Sequence, residues 1–516
     1  MNTSKTRRHF LADIGKGTLV ATIGPALASE LGLATPALAL DSPGTLQFGK
    51  LESLVALMQE TPVPKLQAAL AQQLKAGVPL DRLIAAGVLA NARTFGGEDY
   101  VGFHTFAALG PALHMSRSMP EKQRALPVFK VLYRNTNRIQ EHGGRGSEVL
   151  HPVVPHAGTV TAEQLREAVK RKSADEAERL FAALARNGAD AAFDALLYSV
   201  QDNPEVHRTV IPYRAWGLIE VVGREHAETL LRQSLRYCVE AEGWRRAEWD
   251  VHGKLLTKLL DEHKLLGREP GTRVAEDAFV EKLSEAIFRG TPEQAATAAA
   301  AALAEGFDPA IVGEAISLAA NQLVLRDLGR PTAWESPGKP SGSVHGDSVG
   351  VHGSDAANAW RNMARASRGR NVYACLILGA WQVARDRGGR EDLVKWDPVP
   401  SKRQLADVTG KSLDQLLSEL DEAIRQSLQG RASAIVRRCG DLGLPEQPVF
   451  EKLLQFAVSE DGALHAEKYY QTVWEDFHAT RPAFRWRHLT GLARVTASEF
   501  GRPAPGQAEA RELLRA

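Results

Sequence analysis

The sequence predicts an all-α fold, stacked helical hairpins with weak internal repeats forming one elongated or toroidal domain. Three observations lead there. Apolar residues recur at i, i+3, i+4 spacing in segment after segment, strand-type alternation is almost absent, and Gly, Asn, Asp and Pro punctuate the periodic stretches at helix-length intervals. The chain has 516 residues and is 44% hydrophobic. That length suits either two to four domain-sized units or one long array of helical hairpins.

Residues 1–39 read as an export signal. "SKTRRHFLADIGKGTLVATIGPALASELGLATPALALDS" places Arg7 and Arg8 before Phe10 and Leu11 and ends in Ala37-Leu38-Ala39. A twin arginine, a mildly apolar Gly- and Ala-rich stretch and an A-x-A site resemble a twin-arginine signal peptide. The expected partner is therefore the twin-arginine export machinery, and the expected location is periplasmic or extracellular. Gly, Pro and Glu30 interrupt the apolar stretch, and nothing later supplies about twenty uncharged apolar residues, so no stable membrane span is expected.

Residues 40–330 form a helical repeat region. "GKLESLVALMQE", "PKLQAALAQQLKAG", "LDRLIAAGVLANARTF" and "ADEAERLFAALARNG" each carry one apolar helical stripe. Residues 331–357, "PTAWESPGKPSGSVHGDSVGVHGSDAA", are the one long Gly/Ser/Pro-rich interruption, and a loop of that length suggests function. Residues 358–516 return to helical periodicity. Ser354 fits an N-cap for a helix starting near Asp355, with His352 just ahead of it. Cys238, Cys375 and Cys439 lack any C-x-x-C spacing and read as buried free thiols.

A faint repeat links the regions: an apolar helix, a Gly-containing turn, a second helix, a polar break, then a segment led by histidine. His104, His207, His352 and His465 occupy comparable places in four such units. On a helix His104 shares a face with Ala108, Ala112 and Met115, and His207 shares one with Ile211 and Ala215. An imidazole on an apolar face must satisfy its ring nitrogens or lose on the order of a few kcal/mol. Each histidine could be structural, bonded to a carbonyl. Stacked units could instead bring them to one cleft, to bind a metal or to act as a base. His104, His207 and His352 are the expected metal ligands, with His207, His352 and Arg361 as catalytic candidates. Asn358, Tyr213 and Trp216 are the expected contacts to a small-molecule substrate. His345 adds a further imidazole in the long loop. Pro111 and Pro212 follow two of the histidines, so each helix either bends there or restarts.

Lys and Arg total 63 against 62 Asp and Glu, so no concentrated cationic surface points to nucleic acid. "HGGRG" at His142 and "HPVVPH" at 151–156 read as surface linkers. No Walker loop, HExxH, GxSxG or strand-linked GxGxxG is present.

The His-led segment "HRTVIPYRAWGLIEVVGREHAETLLRQSLRY" resembles the repeated His-helix of the questin oxidase-like proteins. "VHGSDAANAWRNM" is similar to their His-then-small-residue helix start. The same architecture resembles a group of uncharacterised twin-arginine-exported all-helical proteins. The likeness spans residues 65–480 through short motifs, and His104, His207 and His352 are the positions that match. It implies an α-helical oxidoreductase inserting oxygen into an aromatic ketone with NADPH. Export would separate the chain from cytoplasmic NADPH, which favours a metal ion or haem loaded before export. The expected function is thus an exported oxidoreductase with a His-lined cleft, acting on a small aromatic or carbonyl compound. The rival expectation is a non-catalytic helical-repeat binding or scaffold protein with structural histidines.

Overall fold

The computed structural model describes residues 44–243, 251–336, 339–344, 348–388 and 392–515. The signal peptide expected at 1–39 and His345 lie outside the described residues. Among those described, the chain is all-α, with 23 α-helices and no strand.

Helix starts are written locally. Thr161 with Gln164, Thr291 with Gln294 and Ser401 with Gln404 form reciprocal capping boxes, and Pro292 follows Thr291 at the first helical position. Peripheral helices such as Leu413–Arg425 bury a single stripe of Leu416, Leu420, Ala423 and Ile424. Central ones are apolar all round. In Leu80–Phe95 every residue from Leu83 on is buried, and in Arg370–Arg387 every residue from Asn371 to Ala384 except Trp381. Trp360 is wholly buried against the second of these, where Gly379 lets it approach: a Cβ there would stand 3.1 Å from the Trp360 Cβ. Its indole Nε1 donates to Gln382 Oε1 at 2.8 Å, so the ring is packed and its polar edge satisfied.

Gln47–Ala516 forms one compact unit. Residues 47–330 and 358–515 are therefore parts of one body. Helices distant in sequence pack together, among them Val206–Val222 on Val349–Ala366 and Tyr100–Ser118 on His465–Ala479.

Two local expectations are settled. The helices Tyr100–Ser118 and Val206–Val222 run straight through Pro111 and Pro212 rather than restarting there. Each proline removes one i→i−4 main-chain bond. The second is a correction: the His352 helix starts at Val349, not near Asp355, and its N-cap is Ser348, whose hydroxyl accepts from Val351 N at 3.3 Å. The glycines that suggested a loop serve close packing instead. A Cβ at Gly350 would meet Val324 Cα at 2.7 Å, and one at Gly353 would meet Leu323 Cδ1 at 2.5 Å. Only glycine lets this helix lie so near its neighbour, Pro309–Arg326.

Candidate functional site: a cluster of imidazoles

Four helices close a ring around one interior point. Tyr100–Ser118 packs on Val206–Val222, that helix on Val349–Ala366, the third on His465–Ala479, and the fourth back on the first. Each presents its histidine near its N-terminus, at the fifth, second, fourth and first residue respectively.

The helix starts are fixed by specific caps. Asp99 accepts from Gly102 N at 2.6 Å and is held by Arg138. Glu205 accepts from the amides of His207 and Arg208 at 2.9 and 3.0 Å. Entry into the His465 helix is strained: Gly462, Ala463 and Leu464 all have positive φ, at 52°, 47° and 67°. Left-handed backbone costs a non-glycine residue about 1–2 kcal/mol, and such strain gathers where a side chain must be held in place.

The rings meet edge on. Centroids of His104 and His207 are 5.2 Å apart, His207 and His352 5.6 Å, His352 and His465 5.2 Å, and His465 and His104 5.1 Å. The Nε2 atoms of His352 and His465 are 3.3 Å apart. One ring nitrogen from each of His104, His352 and His465 lies within 4.8 Å of the others.

Hydrogen bonding fixes the tautomers. His104 Nδ1 lies 2.9 Å from Tyr100 O and His465 Nδ1 lies 3.1 Å from Ala463 O. A carbonyl only accepts, so both Nδ1 atoms carry the proton and both Nε2 atoms keep a lone pair. His207 Nδ1 lies 2.7 Å from Glu205 Oε1, so this nitrogen donates to the carboxylate. The Nε2 atoms of His104 and His207 are buried and have no hydrogen-bond partner.

Electrostatics disfavour a proton on His104. Burial, with Lys468, His207 and His352 nearby, pushes the His104 pKa far below the ordinary histidine range. Burial likewise lowers Lys468 to about 8, against the pull of Asp355. Glu205 goes the other way: burial raises it, but His207 and the two capped amides bring it down to about 2. Tyr237 also donates to this carboxylate at 3.1 Å. Tyr100 is 60% exposed, its ring 4.6 Å from His104 and 5.5 Å from His207.

Not every expected residue arrives. The trio with converging nitrogens is His104, His352 and His465, whereas the sequence pointed to His207 as third ligand; His207 stands beside the trio with its Nδ1 on Glu205. Asn358 and Arg361 do not face the imidazoles. Asn358 Nδ2 donates to buried Asp476 at 3.1 Å, while Arg361 lies 3.4 Å from the same carboxylate and donates to Ala479 O at 2.8 Å. The earlier helix start explains this, because it carries both residues one to two turns further from the centre. Tyr213 donates to Glu475 at 2.7 Å beside a separate cavity. Trp216 stacks on Phe193 with centroids 4.5 Å apart, which is core packing. Asp99, five residues before His104, is committed to its cap and to Arg138. Glu205 was missed, although "PEVH" carries its signal, an acidic residue at a helix start two before a histidine.

Fold and site together define a class: an all-α protein whose four helix N-termini converge on a buried imidazole cluster. Compared with known proteins, the chain matches no family model, no curated protein and no solved structure.

Proposed function

We propose that the cluster is a transition-metal centre of an exported oxidoreductase acting on a small aromatic or carbonyl compound. One observation carries the metal reading: three imidazole nitrogens on separate helices lie within 4.8 Å of one another. Two ligands about 2.0–2.1 Å from a tetrahedral zinc stand about 3.3 Å apart, close to the 3.3 Å between His352 and His465 Nε2. The main-chain ties at Nδ1 of His104 and His465 are the supports that metal-binding histidines usually have. Imidazole suits zinc, copper, iron or nickel. The tight contact of the four rings favours a single ion over a haem, which would need a flat slot between them.

Three neutral ligands leave the charge of a divalent ion uncompensated. Such a site would favour an anionic oxygen donor, a hydroxide or a phenolate or enolate of the substrate, beside the three histidines. His207, backed by Glu205, is placed to move the proton that such a ligand loses. Exposed Tyr100, beside His104 and His207, offers a face for an aromatic ring. The twin-arginine start supports export by that machinery to the periplasm or beyond, and a metal loaded before export suits folded cargo.

The main-chain ties also favour a second reading, in which the imidazoles only hold helices together. Elemental analysis of protein purified after native export separates the two. A stoichiometric transition metal, lost in His352→Ala and His465→Ala, supports the centre. A parent protein that holds no ion and takes up neither zinc nor cobalt overturns it.

A further inference from the structure

A cavity of about 150 Å³, lined by none of the four clustered histidines, lies between the Tyr100–Ser118 and Val206–Val222 helices. We infer that it binds a small aromatic carboxylate. The inference does not rest on the metal reading, because the cavity uses none of the four clustered imidazoles.

The shape and walls suit an aromatic ring. A cavity of about 150 Å³ lined by apolar side chains accepts benzene. Pro111, Leu113, Leu218 and Val221 supply that lining here. Gly217, exposed, and Arg117, also exposed, mark the entrance.

The polar wall supplies unused hydrogen-bonding capacity. Arg214 is 4% exposed, and its Nη2 takes all of its hydrogen-bonded partners: Asp355 at 3.1 Å, Thr472 at 3.1 Å and Lys468 O at 3.4 Å. Its Nε and Nη1 are buried without partners. A guanidinium has no acceptor capacity, so these N–H groups require an acceptor. Gln471 Oε1 and His114 Nε2 are buried and unpartnered too. Burial lowers the His114 pKa to about 4, so that ring is neutral at pH 7.

Neighbouring carboxylates restrict the ligand's charge. Glu475 is already held by Tyr213 at 2.7 Å, Asn362 at 3.2 Å and Gln471 at 2.5 Å, and Asp355 by Arg214 and by Thr472 at 2.5 Å. Neither can turn away to relieve a strongly charged guest, so a dianion is repelled. A monocarboxylate accepts from Arg214 inside and meets the field of Arg117 at the entrance. Unpaired buried donors destabilise the fold, and the carboxylate oxygens would relieve that cost.

The probe is benzoate, with benzamide as its neutral counterpart, titrated into the full chain by calorimetry. Trp474, whose ring lies 4.4 Å from His114, gives a fluorescence signal assigned with Trp474→Phe. Saturable benzoate binding, at least tenfold tighter than benzamide, is expected. Arg117→Ala should weaken it several-fold without altering the melting temperature. Gly217→Leu, at a position where an added Cβ meets nothing within 4 Å, should fill the entrance and abolish binding while the protein stays folded. No saturable binding, equal binding of the amide, or unchanged binding in Gly217→Leu would each overturn the inference. Metal content is read separately, so failure here leaves the histidine centre standing, and the reverse.

Discussion

Removing one charge next to the cluster should weaken the whole assembly in a pH-dependent way. Glu205 accepts four hydrogen bonds: the amides of His207 and Arg208, the His207 ring and the Tyr237 hydroxyl. Glu205→Gln keeps the size but loses the charge, and one terminal atom becomes a donor facing donors. An N-cap is worth about 1 kcal/mol, and hydrogen bonds to charged groups about 1.5–3 kcal/mol each. With the side chain 31% exposed, solvent screening brings the sum down, and about 2 kcal/mol is the expected loss at pH 7. The sign with pH follows from the carboxyl, whose pKa falls from 4.5 to about 2 on folding. Its stabilisation is fully present above 4.5 and is lost as pH drops toward 2. Urea unfolding of parent and variant between pH 7 and pH 3 should therefore show a gap that is widest at neutrality and closes in acid. A gap that stays constant over that range, or a variant as stable as the parent at pH 7, would refute the reasoning.

Three further outcomes are expected. Asp476 behaves in the opposite sense: burial raises its pKa to about 6 despite Arg361, Asn358 and Ser317. A raised acid contributes most below 3.8 and loses that contribution as pH rises through 6, so Asp476→Asn should gain stability relative to parent from pH 4 to pH 7, by about 2 kcal/mol. Thermal unfolding across that range reads the difference. Gly350→Ala forces a methyl onto the Val324 backbone, and overpacking of this kind costs about 1–3 kcal/mol; denaturant midpoints measure it, and metal uptake should weaken with it because His352 shares the helix. Trp360→Phe leaves Gln382 Oε1 without its 2.8 Å donor and opens a void, for a loss of about 2–3 kcal/mol by urea unfolding.

Helix periodicity made the all-α class and most helices legible, because each helix must hide a 3.6-residue stripe and the sequence spells that stripe out. The convergence of His104, His207 and His352 was readable from their matching places at helix starts. Two things were not. The segment around Gly350 and Gly353 has the composition of a loop, and only the nearness of Val324 and Leu323 shows why glycine belongs inside a helix there. The six-residue error in the helix start that followed, from Val349 to Asp355, moved Asn358 and Arg361 toward the centre in the sequence reading. The buried charges Arg214, Asp355 and Lys468 were invisible for a different reason: their partners lie more than a hundred residues away, and a charge on an apolar face announces only that some partner exists.

The placement of all four imidazoles near helix N-termini bears on which ion could sit there. Helix starts carry partial positive charge, and Lys468 adds to the field felt by His104. A bare divalent cation is disfavoured in that field, and Glu205, which lies 2.7 Å from the His207 Nδ1, is a carboxylate in direct contact with one of the rings. The same field rewards negative charge brought in with the cation. A site built this way binds weakly to a metal alone and more tightly to a metal together with an oxyanion, so uptake of cobalt should strengthen when a phenolate-forming ligand is present. Were the rings merely structural, the helix ends would exclude the ion whether or not the anion accompanied it.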